Sequence, residues 1–320
     1  MKSRYLISFL SGLEEPIEQL LKKCGGVSVE RMLSGGALLR SSRTPVLPFA
    51  RQRFLVLFQM KPCVLPDEAL KRLLTAGEWL NALPYEEISG KRFRITVSDG
   101  EKKTPAGMRY ISLLEKAIEE QTGMHVNRER PECEFWVLLR KEAAYFLLHI
   151  PSQGQETKGR LRPDVAGTVA LLFGYNPGTV ALLGATDDVL VRMLREQGAK
   201  KILCVRDNNG EDGFKSRQDG IRVVLGTPEQ TGLEEKTCNG ACLFLPARKG
   251  MTSFNLREAL HESARILTRE GTLVLVAPQQ DAQSIAERNQ EFQMNERYFC
   301  EWGGCRMMIV KMLRVKPEET

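Results

Sequence analysis

The side chains best suited to binding chemistry in this chain are cationic. Arg92 and Arg94 flank Phe93 in RFRITV, so on an extended strand their guanidinium groups share one face. Lys102 and Lys103 follow in the next loop with Arg109 close behind, and Lys158, Arg160 and Arg162 form a second group. Groups at these spacings could neutralise phosphates. The chain holds 46 Lys and Arg against 40 Asp and Glu, unevenly placed. Residues 1–160 contain 25 basic and 19 acidic side chains, and residues 161–320 contain 21 of each. The whole excess lies in the first half. That bias is compatible with phosphate binding and equally with a solvated lysine-rich face.

Other reactive groups offer less. His125, His149 and His261 fall in a helix-to-strand loop, an apolar strand and a helix, none beside a serine or cysteine in a nucleophile setting. The eight cysteines are scattered, several inside apolar runs such as KILCV and ACLFL. That is the usage of buried thiols in a reducing, cytoplasmic compartment. Cys238 with Cys242, and Cys300 with Cys305, are spaced more widely than a zinc knuckle and lack a nearby histidine, so no metal is expected. No phosphate-cradling glycine loop of nucleotide hydrolases is present. No stretch approaches the roughly 20 apolar residues of a membrane span. The short apolar run near the N-terminus meets Glu14 and Glu15 at once, which argues against a signal peptide.

The length of 320 residues suggests two domains, or three small modules. RYLISFL (4–10) alternates as a strand, and Leu13, Ile17, Leu20, Leu21 and Cys24 repeat at helical spacing. Gly25 and Gly26 are expected to stop that helix in a left-handed cap. VSVERML and ALLR read as strands around Gly35 and Gly36, and RFLVLFQM (53–60) as another. This is the pattern of a small split βαβ sheet. A second unit opens with Asp67 as expected N-cap and a leucine stripe. It continues with RFRITVSDG, a helix through Leu114, Ala117 and Ile118 that stops near Gly123, and a hairpin of EFWVLLR and AYFLLHI around Lys141 and Glu142.

The ordered series YLISFLSGLEE (5–15), the Gly-Gly hairpin with ALLR, RFRITV (92–97), LLEKAIEEQTG (113–123), the Pro-Glu-x-Glu-Phe run at 131–135 and GRLRPDVAGTVALL (159–172) resembles the THUMP-domain RNA methyltransferases. It spans essentially residues 1–175. The resemblance implies an N-terminal ferredoxin-like unit at 1–66 and a THUMP RNA-binding domain at 67–160. It also implies that the two together grip structured RNA, tRNA or rRNA, and it makes the cationic residues above candidate RNA contacts.

From 161 to 320 near-continuous apolar strands alternate with helices: TVALLG, KILCVRD, IRVVLG, ACLFL and TLVLVA, closed by a hairpin around Gly303 and Gly304. That pattern means a buried parallel sheet with an antiparallel edge. Its order resembles the seven-stranded Rossmann-like domain of S-adenosylmethionine-dependent methyltransferases, giving an α/β chain with an α+β module in front. The resemblance places cofactor contacts at Gly184, Asp207, Gly226 and Thr227. Asp207 reads either as a ribose ligand or as a turn aspartate, and Gly226 with Thr227 either as pocket lining or as a plain strand end. The residues that normally make the fold an enzyme are depleted. The first loop keeps one glycine, Ala181 stands for an acid, and Asp187 falls where glycine is expected. The target-base loop is Leu245, Pro246, Ala247, Arg248, Lys249, Gly250. It lacks the polar acceptor that would align an amine with the methyl donor, and Arg248 cannot supply one. The sequence thus favours an RNA-binding protein that is non-catalytic or depends on a protein partner. The alternative is an active S-adenosylmethionine-dependent RNA N-methyltransferase with divergent loops.

Overall fold

A computed structural model describes residues 2–100, 102–151, 161–184, 188–206, 220–245 and 255–315. The first half folds as β1 (Ser3–Ser8), α1 (Glu14–Lys23), β2 (Val27–Leu33), β3 (Gly36–Ser41), β4 (Gln52–Met60), α2 (Pro66–Ala76), α3 (Tyr85–Ile88), β5 (Arg92–Asp99), β6 (Lys102–Lys103), α4 (Met108–Thr122), β7 (His125–Val126), β8 (Cys133–Leu139) and β9 (Ala144–Ile150). These strands form one sheet in the order β2-β3-β1-β4-β9-β8-β5-β6, with β7 on β5. β4 pairs antiparallel with β9 along its length, so the sheet runs on without a break from the residues before 66 to those after.

Two local expectations are corrected. Asp67 is not the N-cap of α2; that place is held by Leu65, without a side-chain bond. Asp67 lies in the first turn, and its carboxylate instead accepts the Gly107 N–H at 2.6 Å, joining α2 to the start of α4. Nor does a left-handed glycine end α1. Cys24 leaves the helix extended, and the positive φ of +78° comes later, at Gly26. Gly123 does close α4 in the left-handed region, at φ +67°.

The second half comprises α5 (Pro163–Phe173), β10 (Thr179–Leu183), α6 (Asp188–Glu196), β11 (Lys201–Arg206), β12 (Ile221–Leu225), β13 (Cys238–Phe244), α7 (Leu256–Ile266), β14 (Leu267–Pro278), α8 (Gln279–Arg288), β15 (Phe292–Trp302) and β16 (Cys305–Arg314). Its sheet has seven strands in the order β12-β11-β10-β13-β14-β16-β15. β10 to β14 are parallel, and β16 runs antiparallel to β14 and β15. The architecture is α/β, as the alternation of apolar strands and helices predicts. α7 ends at Ile266, where the chain passes directly into β14.

The segment joining the halves carries the most buried helix among the described residues. Every residue of α5 from Asp164 to Leu172 is buried, which fits a helix that is apolar around its circumference. One apolar cluster runs from Ile7, Phe9 and Ile17 through Val165 and Val169 to Val180, Val274 and Ile309. At Gly167 an added Cβ would lie 2.6 Å from the Cβ of Phe49, so glycine sets how closely α5 approaches the first half. Asp164, fully buried, accepts the Leu10 N–H at 2.7 Å and pairs with Arg162 at 3.0 Å.

His149 on β9 lies against Phe54 and Trp136, with ring centroids 5.3 and 6.5 Å away. Burial pushes its pKa down; Glu134 pulls it up, and Arg53 and Arg94 push it further down. The unfolded chain therefore takes up this proton first. The stability His149 contributes is complete above the unfolded pKa of about 6.5 and is lost as pH falls from there towards the folded value. Thermal unfolding midpoints taken at falling pH should drop more steeply for the natural chain than for His149→Phe. Equal slopes would contradict the assignment.

Candidate functional site

In the second sheet the strand order reverses between β10 and β13. That reversal opens a crevice beyond the carboxyl ends of the parallel strands, where ligands of such sheets sit. β10 delivers Gly184 there at φ +80°, a conformation open to glycine and strained for other residues. Ala181, Leu182 and Leu183 are all buried, and none carries an acid, so the strand brings no carboxylate to this end. β12 delivers Gly226, whose N–H bonds to the Arg206 carbonyl at 3.0 Å. Gly226 and Thr227 belong to a tight turn. Thr227 and Gln230 exchange backbone bonds at 3.0 and 3.1 Å, and a Cβ on Gly226 would meet the Gln230 carbonyl oxygen at 2.7 Å. The Thr227 hydroxyl accepts from Gln230 at 3.2 Å. The turn is anchored behind by buried Thr231, which donates its N–H and hydroxyl to Glu262 at 2.9 and 2.5 Å. Burial pushes the Glu262 carboxyl up, but the bonds from Arg265 and Thr231 outweigh it and hold its pKa below the usual range.

β13 ends at Phe244, and Leu245 follows, its N–H bonded to the Val276 carbonyl at 2.8 Å. Its side chain is partly buried against the apolar cluster that holds Leu243, Leu260 and Leu275 and has no acceptor to offer. Sequence reasoning missed an aromatic pair at this edge. Met307 of β16 pairs with Pro278 at the carboxyl end of β14, so the turn at Gly303 and Gly304 reaches past the edge. That register sets the Trp302 ring on Phe244, with centroids 5.7 Å apart and planes at 19°. The final hairpin was legible, but the side chain its tip would meet was not. Asp187, Asp207, Pro246 and Arg248 lie outside the described residues. For the described part, Gly184 suits close backbone approach by a cofactor. Ala181 and Leu245 offer no charged or accepting group to the methionine moiety or an amine target.

The cationic candidates fall into three situations. β5 and β8 run parallel with Arg94 opposite Glu134. Arg94 donates to Glu134 at 2.7 Å and Arg92 to Glu132 at 3.0 Å, so both guanidinium groups already have acidic partners. The Arg92 N–H and guanidinium hold the Glu132 carboxyl below its ordinary range. Lys103 and Arg109 are exposed. Arg162 turns inward, its side chain 11% exposed against Asp164. Lys158 and Arg160 lie outside the described residues, as does the Lys102 side chain. Among the described residues no group of three His, Cys, Asp or Glu side chains converges as a metal site, and no helix is long and apolar enough to cross a membrane.

A sheet of this order, with its sixth-placed strand reversed and with α6 and α7 joining neighbouring parallel strands, has the Rossmann-like methyltransferase fold. Over its whole length the chain is similar to TrmN from Thermus thermophilus, at 16% identity and TM-score 0.72, covering 98% of this chain and 99% of that one. It is also similar to a possible methylase from Clostridium difficile 630, at 12% identity and TM-score 0.68, with 100% of both chains covered. No protein-family profile and no curated protein matches the sequence.

Proposed function

We propose that this protein binds structured RNA, tRNA or rRNA, through its first half, as a relative of the THUMP methyltransferases, and that the isolated chain does not methylate it. In this reading residues 1–66 form the ferredoxin-like unit, 67–160 the THUMP domain and 161–320 the methyltransferase-type domain, working in the cytoplasm, with a protein partner supplying any missing catalytic group. What carries the reading is one coincidence. The ordered sequence series over 1–175 carries the THUMP resemblance, and TrmN from Thermus thermophilus matches both halves together over 98% of the chain. The alternative, an active S-adenosylmethionine-dependent N-methyltransferase, is favoured by Gly184 at φ +80°, which leaves the backbone free to approach a cofactor.

The RNA contacts are tested by replacing Lys102, Lys103 and Arg109 together with glutamate. These are preferred to Arg92 and Arg94, whose replacement would also break the pairs with Glu132 and Glu134. Filter binding of folded tRNA should weaken by about tenfold or more, the scale of a few lost phosphate contacts. Unchanged affinity would remove these residues from the interface.

A further inference from the structure

The first sheet carries a further concentration of guanidinium groups that the sequence alone did not single out. Arg4 on β1 lies opposite Arg40 on β3, and Arg31 sits at the bulge of β2 beside them. Arg4 and Arg40 share the Glu30 carboxylate, at 2.7 and 2.9 Å. Arg4 also donates to Gln59 at 2.9 Å. Arg140, in the turn between β8 and β9, donates to the Ser34 carbonyl at 2.7 Å, which draws that hairpin towards the turn between β2 and β3. Leu6, Leu38, Phe54 and Leu147 make an apolar floor on this face. Arg31 is exposed and has no ion pair among the described residues.

Within this setting stands Tyr145. It lies opposite Gln59 in the pairing of β9 with β4, next in line after Arg4. The residue is 0% exposed, and its hydroxyl has no hydrogen-bond partner among the described residues. A buried hydroxyl without an acceptor is costly, and native structures leave few of them. Burial raises the pKa of this phenol, while Arg140, Arg31 and Arg4 pull it down, so the hydroxyl stands in a positive field. The polar groups here are mainly donors, and an oxyanion with several lone pairs is the ligand chemistry that satisfies them.

We propose that Tyr145, Arg31 and Arg140 form a subsite for a phosphate-type oxyanion on this face of the first sheet. Arg140 exchanges the Ser34 carbonyl for the anion, which opens the approach to the Tyr145 hydroxyl. The identity of the donor molecule rests on the RNA reading above, in which the anion is a backbone phosphate; free phosphate shares the chemistry.

The test compares the full natural chain with Tyr145→Phe and Arg31→Ala. Thermal unfolding is followed in chloride and in inorganic phosphate at matched ionic strength, and filter binding of folded tRNA is measured in parallel. In chloride, Tyr145→Phe should be no less stable than the natural chain, since it removes an unsatisfied donor. RNA binding should weaken about tenfold or more in both variants, the effect of one charge-assisted hydrogen bond. Weakened RNA binding without a phosphate shift in the natural chain assigns the subsite to the RNA backbone. A phosphate shift lost in both variants, with RNA binding unchanged, assigns it to free phosphate. The proposal is overturned if the variants and the natural chain respond alike to both ligands. It is also overturned if Tyr145→Phe is markedly destabilised in chloride, which would mean that the hydroxyl already has a partner. Failure of the natural chain to bind RNA at all would sink the RNA reading, while the phosphate arm would still decide the subsite.

Discussion

Asp164→Ala should lower the unfolding free energy by about 3–5 kcal/mol, the cost of removing one partner from a buried ion pair. The carboxylate is fully buried and holds three groups at once, the Arg162 guanidinium at 3.0 Å, the Leu10 N–H at 2.7 Å and the Val165 N–H at 3.0 Å. Its loss strands a guanidinium whose side chain is 11% exposed and a backbone donor two residues beyond β1. Asp164→Asn keeps one acceptor and should cost less. Because Leu10 belongs to the first half and Asp164 to α5, the loss should also loosen the two halves. Urea unfolding monitored by tryptophan fluorescence checks this, with Trp79 and Trp136 in the first half and Trp302 in the second. An unfolding free energy within about 1 kcal/mol of the natural chain, the range of ordinary surface changes, would refute it.

Calorimetry with S-adenosylmethionine should give no heat of binding at concentrations that saturate ordinary methyltransferases, and the isolated chain should transfer no methyl group to bulk tRNA. The physical reason is cumulative. β10 brings the buried apolar residues Ala181, Leu182 and Leu183 to the cofactor edge, and Leu245 offers no acceptor to an amine. Each missing charged hydrogen bond costs about 1.5–3 kcal/mol, or about 10- to 100-fold in Kd. Stoichiometric transfer of radiolabelled methyl groups into RNA by the purified chain would overturn the inactive reading. Loss of that transfer in Asp207→Ala would then mark Asp207 as the cofactor anchor.

Much of the second half was legible because its strands are buried on both faces and so are apolar nearly throughout. KILCV and TLVLVA announce themselves by composition, and the helices between them by period. Caps were less legible, because side chains there choose among partners distant in sequence. Asp67 looks like a cap but is taken by the Gly107 N–H. In the loop after β10 the glycine conformation was legible, since Gly184 takes a positive φ of +80°. The pairing of Arg92 and Arg94 with Glu132 and Glu134 depends on β5 and β8 being parallel neighbours, which spacing along the chain does not reveal. The crowding of Arg4, Arg31, Arg40 and Arg140 likewise needs the hairpin of β8 and β9 to reach the turn of β2 and β3. Each residue alone reads as an ordinary surface charge.

The most direct test of the central claim is the affinity of the full chain for folded tRNA, measured by filter binding across a series of salt concentrations. Phosphate contacts release counterions, so log K should fall linearly with log salt, with a slope of about −0.9 per phosphate neutralised on a duplex. An RNA-binding first half predicts tight binding at low salt and a slope corresponding to several contacts. No binding at low salt, or an affinity that does not change with salt, would contradict it.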